Sequence, residues 1–287
     1  MSDTPRKATG VGLALGGGSA RGLAHILMLE VFDELGVKPA AIAGTSIGSI
    51  IGGMYAAGMS AAEIRSFAEE LLSSRSEVFL RLAKSYGGLS SLWSFKRPSV
   101  VDGVTLFELL MPQQLRCDFS SLRIPFAAVA VDYYAMDQVV IEHGPVIPAI
   151  AASSALPTIL KPVTIGGRIL VDGGYANPTP WDVVQSRNDV GVTVAVDVTG
   201  QTELGAPDAL PSTLDAWVGC TQVLFRSVTR EKLKQRAPDI FIRPSVGTFG
   251  TMDFTRIHDI FAAAAPAKDD LKRALERVLA DAPAGQI

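Results

Sequence analysis

This sequence predicts an α/β fold built on a mainly parallel sheet with helices on both faces, and three observations lead there. Short apolar runs alternate with amphipathic helical patterns through most of the 287 residues, as expected of a strand–helix–strand chain. Two early strands run directly into glycine-rich turns followed by helix patterns, at Gly16-Gly17-Gly18-Ser19-Ala20-Arg21-Gly22 and Gly44-Thr45-Ser46-Ile47-Gly48. Hydrophobic residues make up 48% and charged residues 19%, enough for a sizeable core and too apolar for global disorder. The length suits one large domain.

The elements follow in order. Residues 11–15 form a buried strand that ends in the first glycine run. Residues 21–35 carry helical spacing through Leu23, Ile26, Leu27, Val31 and Leu35, and Gly36 is a natural stop. A second strand at 40–43 leads to a second helix at 47–57. Ser60 with Glu63 forms a capping box for a third helix, to about residue 72, and Thr105 with Glu108 repeats the signature. Further strands are expected at 126–131, 138–142, 168–171, 192–196 and 240–242, and helices at 180–186, 214–235, 255–264 and 268–279. Between them, 73–103 is the least regular part. The expected organisation is a flexible N-terminus over 1–10, one catalytic domain over 11–280 and a flexible tail over 281–287.

Composition excludes several classes. A net charge of −3 without clustered Lys and Arg offers no surface for nucleic acid. Two cysteines, Cys117 and Cys220, make no disulfide framework and point to a reducing, cytoplasmic setting. The first ten residues are polar and lack the apolar core of a secretory signal. Residues 39–62 carry no charge and are long enough to cross a bilayer, but five glycines and several hydroxyl residues read better as a buried strand, turn and helix.

The chemistry concentrates in three motifs. In Gly44-Thr45-Ser46-Ile47-Gly48, a serine on a strand-to-helix turn has the pattern of a nucleophile elbow, and the flanking glycines let the backbone crowd. The pentapeptide alone fits equally well a serine that caps a helix. The turn at 16–22 can aim several N–H groups at one point, as acyl transfer needs for its oxyanion, and Gly16, Gly17, Gly18 and the N–H of Ile47 are the candidate donors. It is no Walker A loop, because Leu23 and Ala24 follow Gly22. Nor does it fit a dinucleotide fingerprint, since Arg21 stands where the third glycine belongs and no acidic ribose ligand follows. Arg21 is a candidate for binding a substrate phosphate or carboxylate, or equally for a structural ion pair. The third motif, Asp172-Gly173-Gly174, ends a strand at a tight turn and holds a carboxylate at the sheet edge, where burial would raise its basicity. Of the three histidines, His25 lies in an apolar helix, His143 in a loop, and only His258 follows Asp172 in the order of an α/β-hydrolase triad. Several strands precede the nucleophile in that fold, whereas Ser46 follows only the second. Asp172 is therefore the better base.

Taken together these motifs closely resemble the patatin-like phospholipase family, above all its small bacterial members akin to the neuropathy target esterase catalytic domain. Residues 16–22 resemble its oxyanion motif, Gly44 to Gly48 its Gly-x-Ser-x-Gly, and Asp172-Gly173-Gly174 its Asp-Gly-Gly. Asn177 and Pro180 fall where the family carries Asn and Pro, and Ala152-Ser153-Ser154-Ala155-Leu156-Pro157 is similar to another signature. The resemblance implies a three-layer α/β/α sandwich, a Ser46–Asp172 dyad without histidine, hydrolysis of lipid acyl esters, and neither metal nor organic cofactor. Two stretches depart from the family: Tyr133-Tyr134-Ala135-Met136-Asp137 replaces a threonine-glycine turn, and Ala262 to Ala265 replaces glycine and aromatic residues.

The function this sets up is a serine acyl hydrolase acting on phospholipids or lysophospholipids through an acyl-enzyme. The alternatives are a soluble carboxylesterase or acyltransferase on small esters, and a non-catalytic lipid- or partner-binding module. Leu89, Leu92, Trp93 and Phe95 beside Lys96 and Arg97 suit peripheral contact with the inner face of a membrane, a lid, or core packing. No protein partner is legible.

Overall fold

The computed structural model describes residues 10–73, 101–157, 159–199 and 213–281. Its centre is an eight-stranded sheet. Five strands run parallel: β1 (Val11–Leu15), β2 (Ala41–Thr45), β3 (Phe126–Asp132), β7 (Val192–Val196) and β8 (Ile240–Ile242), in the order β3-β2-β1-β7-β8. The strands β4 (Asp137–Ile141), β5 (Val163–Ile165) and β6 (Arg168–Asp172) are antiparallel to their neighbours, β4 and β6 pairing with β3 and β5 with β6. Eight α-helices accompany them among the described residues: α1 (His25–Leu35), α2 (Ile47–Ala56), α3 (Ala61–Ser73), α4 (Gly103–Leu110), α5 (Val146–Ser153), α6 (Trp181–Gln185), α7 (Thr213–Gln235) and α8 (Ile257–Asp281).

The three layers follow from side-chain size alternating along the strands. On one face Val11, Leu13, Leu15, Ile42, Phe126, Val194 and Val196 join one large core with α1, α2, α3, α5 and α8. On the other, Ala14, Ala41, Ala43, Ala127 and Ala195 leave room for α6, whose Trp181 and Val184 pack against them in a smaller cluster. Small residues on the second face bring α6 close, and a methyl on Gly12 would collide with Val190 and Val184. The expected α/β/α sandwich is therefore present, with a sheet that is parallel in its centre and mixed at one side.

Local signals worked where a side chain meets its own backbone. Ser60 and Glu63 close the capping box reciprocally, Ser60 N–H donating to Glu63 at 2.8 Å and Glu63 N–H to Ser60 Oγ at 3.2 Å. For α4 the cap is Asp102 instead, whose carboxylate accepts from Thr105 N–H at 3.0 Å. The first helix opens as a 3-10 turn over Ser19–Ala24 before α1. The two helices expected at 255–264 and 268–279 are one, α8, with Pro266 inside it. Pro266 faces solvent while Ile260, Ala264, Leu271 and Leu275 seat the helix in the core, and that packing outweighs the proline's lost bond. Helix α5 escapes sequence periodicity because it is apolar all round and buried all round. The uncharged stretch at 39–62 holds β2, the turn and α2, and no helix among the described residues is long and apolar enough to cross a membrane. Leu89, Leu92, Trp93, Phe95, Lys96 and Arg97 lie outside the described residues, as do 1–9 and 282–287.

Candidate active site

The sheet register alone brings the two leading residues together. β4 pairs with Ala128 through Asp132 along one edge of β3. On the opposite edge β2 occupies the first part of β3, ending with Thr45 beside Val129, and β6 occupies the next part, starting with Asp172 beside Ala130. β2 runs parallel to β3 and β6 antiparallel, so their C-terminal ends meet head to head. Ser46 leaves one end and Asp172 forms the other.

Ser46 sits at φ 54° and ψ −125°, a conformation an L-residue holds only when its surroundings impose it. Its neighbours impose it here. A Cβ on Gly44 would lie 2.5 Å from Gly48 O, and one on Gly48 would lie 2.1 Å from Leu15 O. Both positions admit glycine alone. Ser46 N–H donates to Ser153 Oγ at 3.0 Å, and Ser153 Oγ donates in turn to Val129 O at 2.6 Å, tying the turn to β3, the strand with which the Asp172 strand pairs. Ser49 Oγ adds a bond to Ser46 O at 2.7 Å.

Asp172 is 1% exposed. Its backbone N–H donates to Ala155 O at 3.1 Å, and its carboxylate accepts from Gly174 N–H at 2.8 Å, capping the short 3-10 turn Gly173–Tyr175. A Cβ on Gly173 would meet Val129 O at 2.1 Å and one on Gly174 would meet the Phe225 ring at 2.3 Å, so both glycines are packing requirements. Burial pushes the carboxyl up to about 6, while hydrogen bonds from Gly174 and the Ser46 side chain pull it back. A carboxylate held near 6 is a stronger base than a solvated one and still ionised at neutral pH.

The glycine turn lies against the serine: a Cβ on Gly17 would stand 3.3 Å from Ser46 Cβ. The donor set is narrower than the four N–H groups expected. Gly16 N–H donates to Val196 O and Gly17 N–H to Pro178 O, both at 2.9 Å. These two groups anchor the turn and are not free for an oxyanion. Gly18 N–H and Ile47 N–H, the latter opening α2, make no such backbone bond among the described residues. Arg21 is engaged by backbone carbonyls. Its Nε donates to Phe249 O at 2.7 Å and its Nη1 to Thr199 O at 2.6 Å, so it ties two loops together as a part-buried tether.

No histidine reaches Ser46. His25 is fully buried and its Nε2 bonds Gly16 O at 2.8 Å. Burial pushes it down to about 4, so at neutral pH it is an uncharged donor holding the glycine turn. His143 is exposed in its loop, and His258 is a largely exposed side chain 3.9 Å from Glu69. Asn177 is buried and does not reach the reacting groups. Its carbonyl accepts the Thr45 hydroxyl at 2.8 Å and its amide reaches Gln138 and Asp182. Among the described residues no three His, Cys, Asp or Glu side chains are grouped to hold a metal.

Ser46 opens onto a cavity of about 610 Å³ walled by α2, α3 and α4, through side chains such as Ile50, Met54, Phe67, Leu106 and Leu110. Its size lies in the ligand-pocket range, and its walls are apolar apart from a few hydroxyls. This wall is not legible in the sequence, because it forms only when the helix at Gly103–Leu110 packs near the two consecutive helices α2 and α3.

The profile described as patatin-like phospholipase matches residues 13–184. An uncharacterized NTE family protein of Mycobacterium tuberculosis is 34% identical over 228 residues, which is 78% of this chain and 59% of that protein. Human patatin-like phospholipase domain-containing protein 6 is 28% identical over 277 residues, 88% of this chain and 19% of that protein. Lysophospholipase NTE1 of Candida glabrata is 27% identical over 284 residues, 89% of this chain and 16% of that protein. The chain thus spans less than two thirds of the length of each of these relatives. Among solved structures, VipD from Legionella pneumophila aligns with 92% of this chain and 67% of its own at 12% identity, with a TM-score of 0.47. By the profile match, which covers more than half of its length, the chain belongs to the patatin-like phospholipase family.

Proposed function

We propose that this protein is a serine acyl hydrolase that cleaves fatty-acyl esters of phospholipids or lysophospholipids through a Ser46–Asp172 dyad. The observation that carries the reading is the head-to-head meeting of β2 and β6, which brings a strained serine that lines an apolar cavity beside a buried carboxylate. The relatives' names, patatin-like phospholipase and lysophospholipase, fit a lipid ester as substrate.

In this reading the acyl chain lies along α2, α3 and α4 with the ester carbonyl at Ser46. Asp172 takes the Ser46 proton as Oγ attacks the carbonyl carbon. The N–H groups of Gly18 and Ile47 receive the oxyanion. As the tetrahedral species collapses, Asp172 returns the proton to the leaving alcohol and an acyl-enzyme remains. Water, deprotonated by Asp172, attacks that ester. The fatty acid leaves and the proton returns to Ser46. His25, neutral and turned to Gly16, takes no part in proton transfer. Such a substrate resides in lipid aggregates, so peripheral contact with a membrane surface belongs to the same proposal.

The test is fluorophosphonate labelling of wild type, Ser46→Ala and Asp172→Asn, with mass spectrometry locating the adduct, followed by lysophospholipid hydrolysis. Labelling at Ser46 that falls sharply in Asp172→Asn supports the dyad. A folded wild type that neither labels nor hydrolyses overturns it.

A further inference from the structure

Lys232 is a partly buried cation that the proposed chemistry does not use. It projects from the last turns of α7, where its ammonium donates to the Asn177 side-chain oxygen, to Thr179 O at 3.0 Å and to Asp182 Oδ1 at 2.5 Å. It also stands 4.2 Å from the centre of the Trp181 ring. Nothing in its helix periodicity distinguishes it from the other cations of a charged segment.

What it holds matters more than how it is held. The three residues 177–179 are the common support of both halves of the site. Asn177 O accepts the hydroxyl of Thr45, the residue before the nucleophile. Pro178 O accepts the N–H of Gly17, the residue before Gly18. A Cβ on Gly16 would lie 2.7 Å from Thr179 Oγ1, so the same segment presses on the start of the glycine turn. Two of these three residues are bonded to Lys232. Seven residues earlier on the same face of α7, Phe225 packs edge-on against Tyr175, ring centres 5.4 Å apart, over Gly174. Helix α7 therefore grips the turn after Asp172 in one place and the support of the glycine turn in another.

We propose that Lys232 is a positioning residue for acyl transfer: by clamping Asn177 and Thr179 it fixes the Pro178 carbonyl, and through Gly17 it sets where the Gly18 N–H points relative to Ser46. It touches neither substrate nor reacting atoms. The inference rests on the acyl hydrolase reading for its kinetic consequence but not for its structural one.

The experiment compares wild type with Lys232→Met, Lys232→Arg and the double variant Asp182→Asn/Lys232→Met, which leaves no carboxylate stripped of its ammonium partner. On a soluble short-chain ester, Lys232→Met is expected to lose about 100-fold in kcat, the scale of an ångström-sized misplacement, and a similar factor in the rate of Ser46 labelling. KM stays within about two-fold, because the acyl cavity is untouched, and Lys232→Arg recovers part of the rate. The acid limb of the pH profile stays near 6, because Lys232 does not set the Asp172 carboxyl. The double variant is expected to melt close to wild type while remaining slow. Amide hydrogen exchange at Gly17 and Gly18 is the readout independent of activity, and is expected to rise at least tenfold in both Met variants. A double variant that melts like wild type and turns over like wild type overturns the proposal, as does unchanged exchange at Gly17 and Gly18. If wild type itself neither labels nor hydrolyses, the acyl hydrolase reading fails and the exchange result alone decides the role of Lys232.

Discussion

Replacing Asp172 by Asn should abolish turnover and, at alkaline pH, make the protein more stable. The carboxyl is 1% exposed and is pushed from its ordinary 3.8 up to about 6, chiefly by burial. At about 1.4 kcal/mol per pH unit, holding that group ionised in the folded protein costs about 3 kcal/mol. Below pH 3.8 it is neutral in both folded and unfolded states and the cost vanishes. Between 3.8 and about 6 the unfolded chain ionises first, so wild-type stability falls as pH rises, and above 6 the full deficit remains. Asn carries no charge and escapes the deficit, while its carbonyl can still accept from Gly174 N–H. One amide N–H must then find a partner, which returns about 1–2 kcal/mol. The net expectation is a variant about 1–2 kcal/mol more stable than wild type at pH 8, with that advantage lost at pH 4. Urea unfolding of both proteins at the two pH values reads the difference. The buried His25, pushed down to about 4, weakens both proteins in acid, but equally, and drops out of the comparison. A variant with the same offset at both pH values, or less stable at pH 8, would refute the claim that Asp172 is a base made strong by burial.

Other consequences are as direct. If Asp172 is the general base, kcat/KM on a soluble ester should rise with pH through about 6 and then level off, with no second limb from the neutral His25; a profile centred well above 7 would implicate another group. Ser46→Gly should eliminate fluorophosphonate labelling and stabilise the fold by about 1–2 kcal/mol, because glycine accepts φ 54° without strain, as thermal unfolding would report. Gly173→Ala should lower the melting temperature and the labelling rate together, since its methyl would stand 2.1 Å from Val129 O. At the tip between β3 and β4, Tyr134 is 75% and Met136 87% exposed. Changing both to Ser should reduce partition into phospholipid vesicles in a sedimentation assay while leaving hydrolysis of a soluble ester unchanged, and unaltered partition would remove that tip from the membrane contact.

Much of the site was legible because its motifs are local. A glycine beside a sharp turn, a serine between strand and helix, and an aspartate before two glycines each report a backbone geometry that only those residues accept. Gly44, Gly48, Gly173 and Gly174 stand where a side chain would collide with a backbone or a ring. The Ser60–Glu63 box is local in the same sense. The alternation of strand and helix was enough for an α/β sandwich, and the large-small alternation along β1 and β2 was already written in Val-Gly-Leu-Ala-Leu and Ala-Ile-Ala-Gly.

What the sequence left open depends on partners far away in the chain. Gly16, Gly17 and Gly18 look alike in sequence, yet Val196 and Pro178 engage the first two N–H groups, and only the fold tells the third apart. Arg21 had two equal readings until the carbonyls of Thr199 and Phe249 claimed it. The cavity wall, the Ser153 link and the Lys232 contacts join residues whose proximity no local pattern encodes. Sequence determined which backbone shapes and which functional groups were present, because those are set within a few residues. Tertiary structure decided which of those groups remain free to meet a substrate, because a hydrogen bond to a distant carbonyl removes a donor as completely as a substitution would.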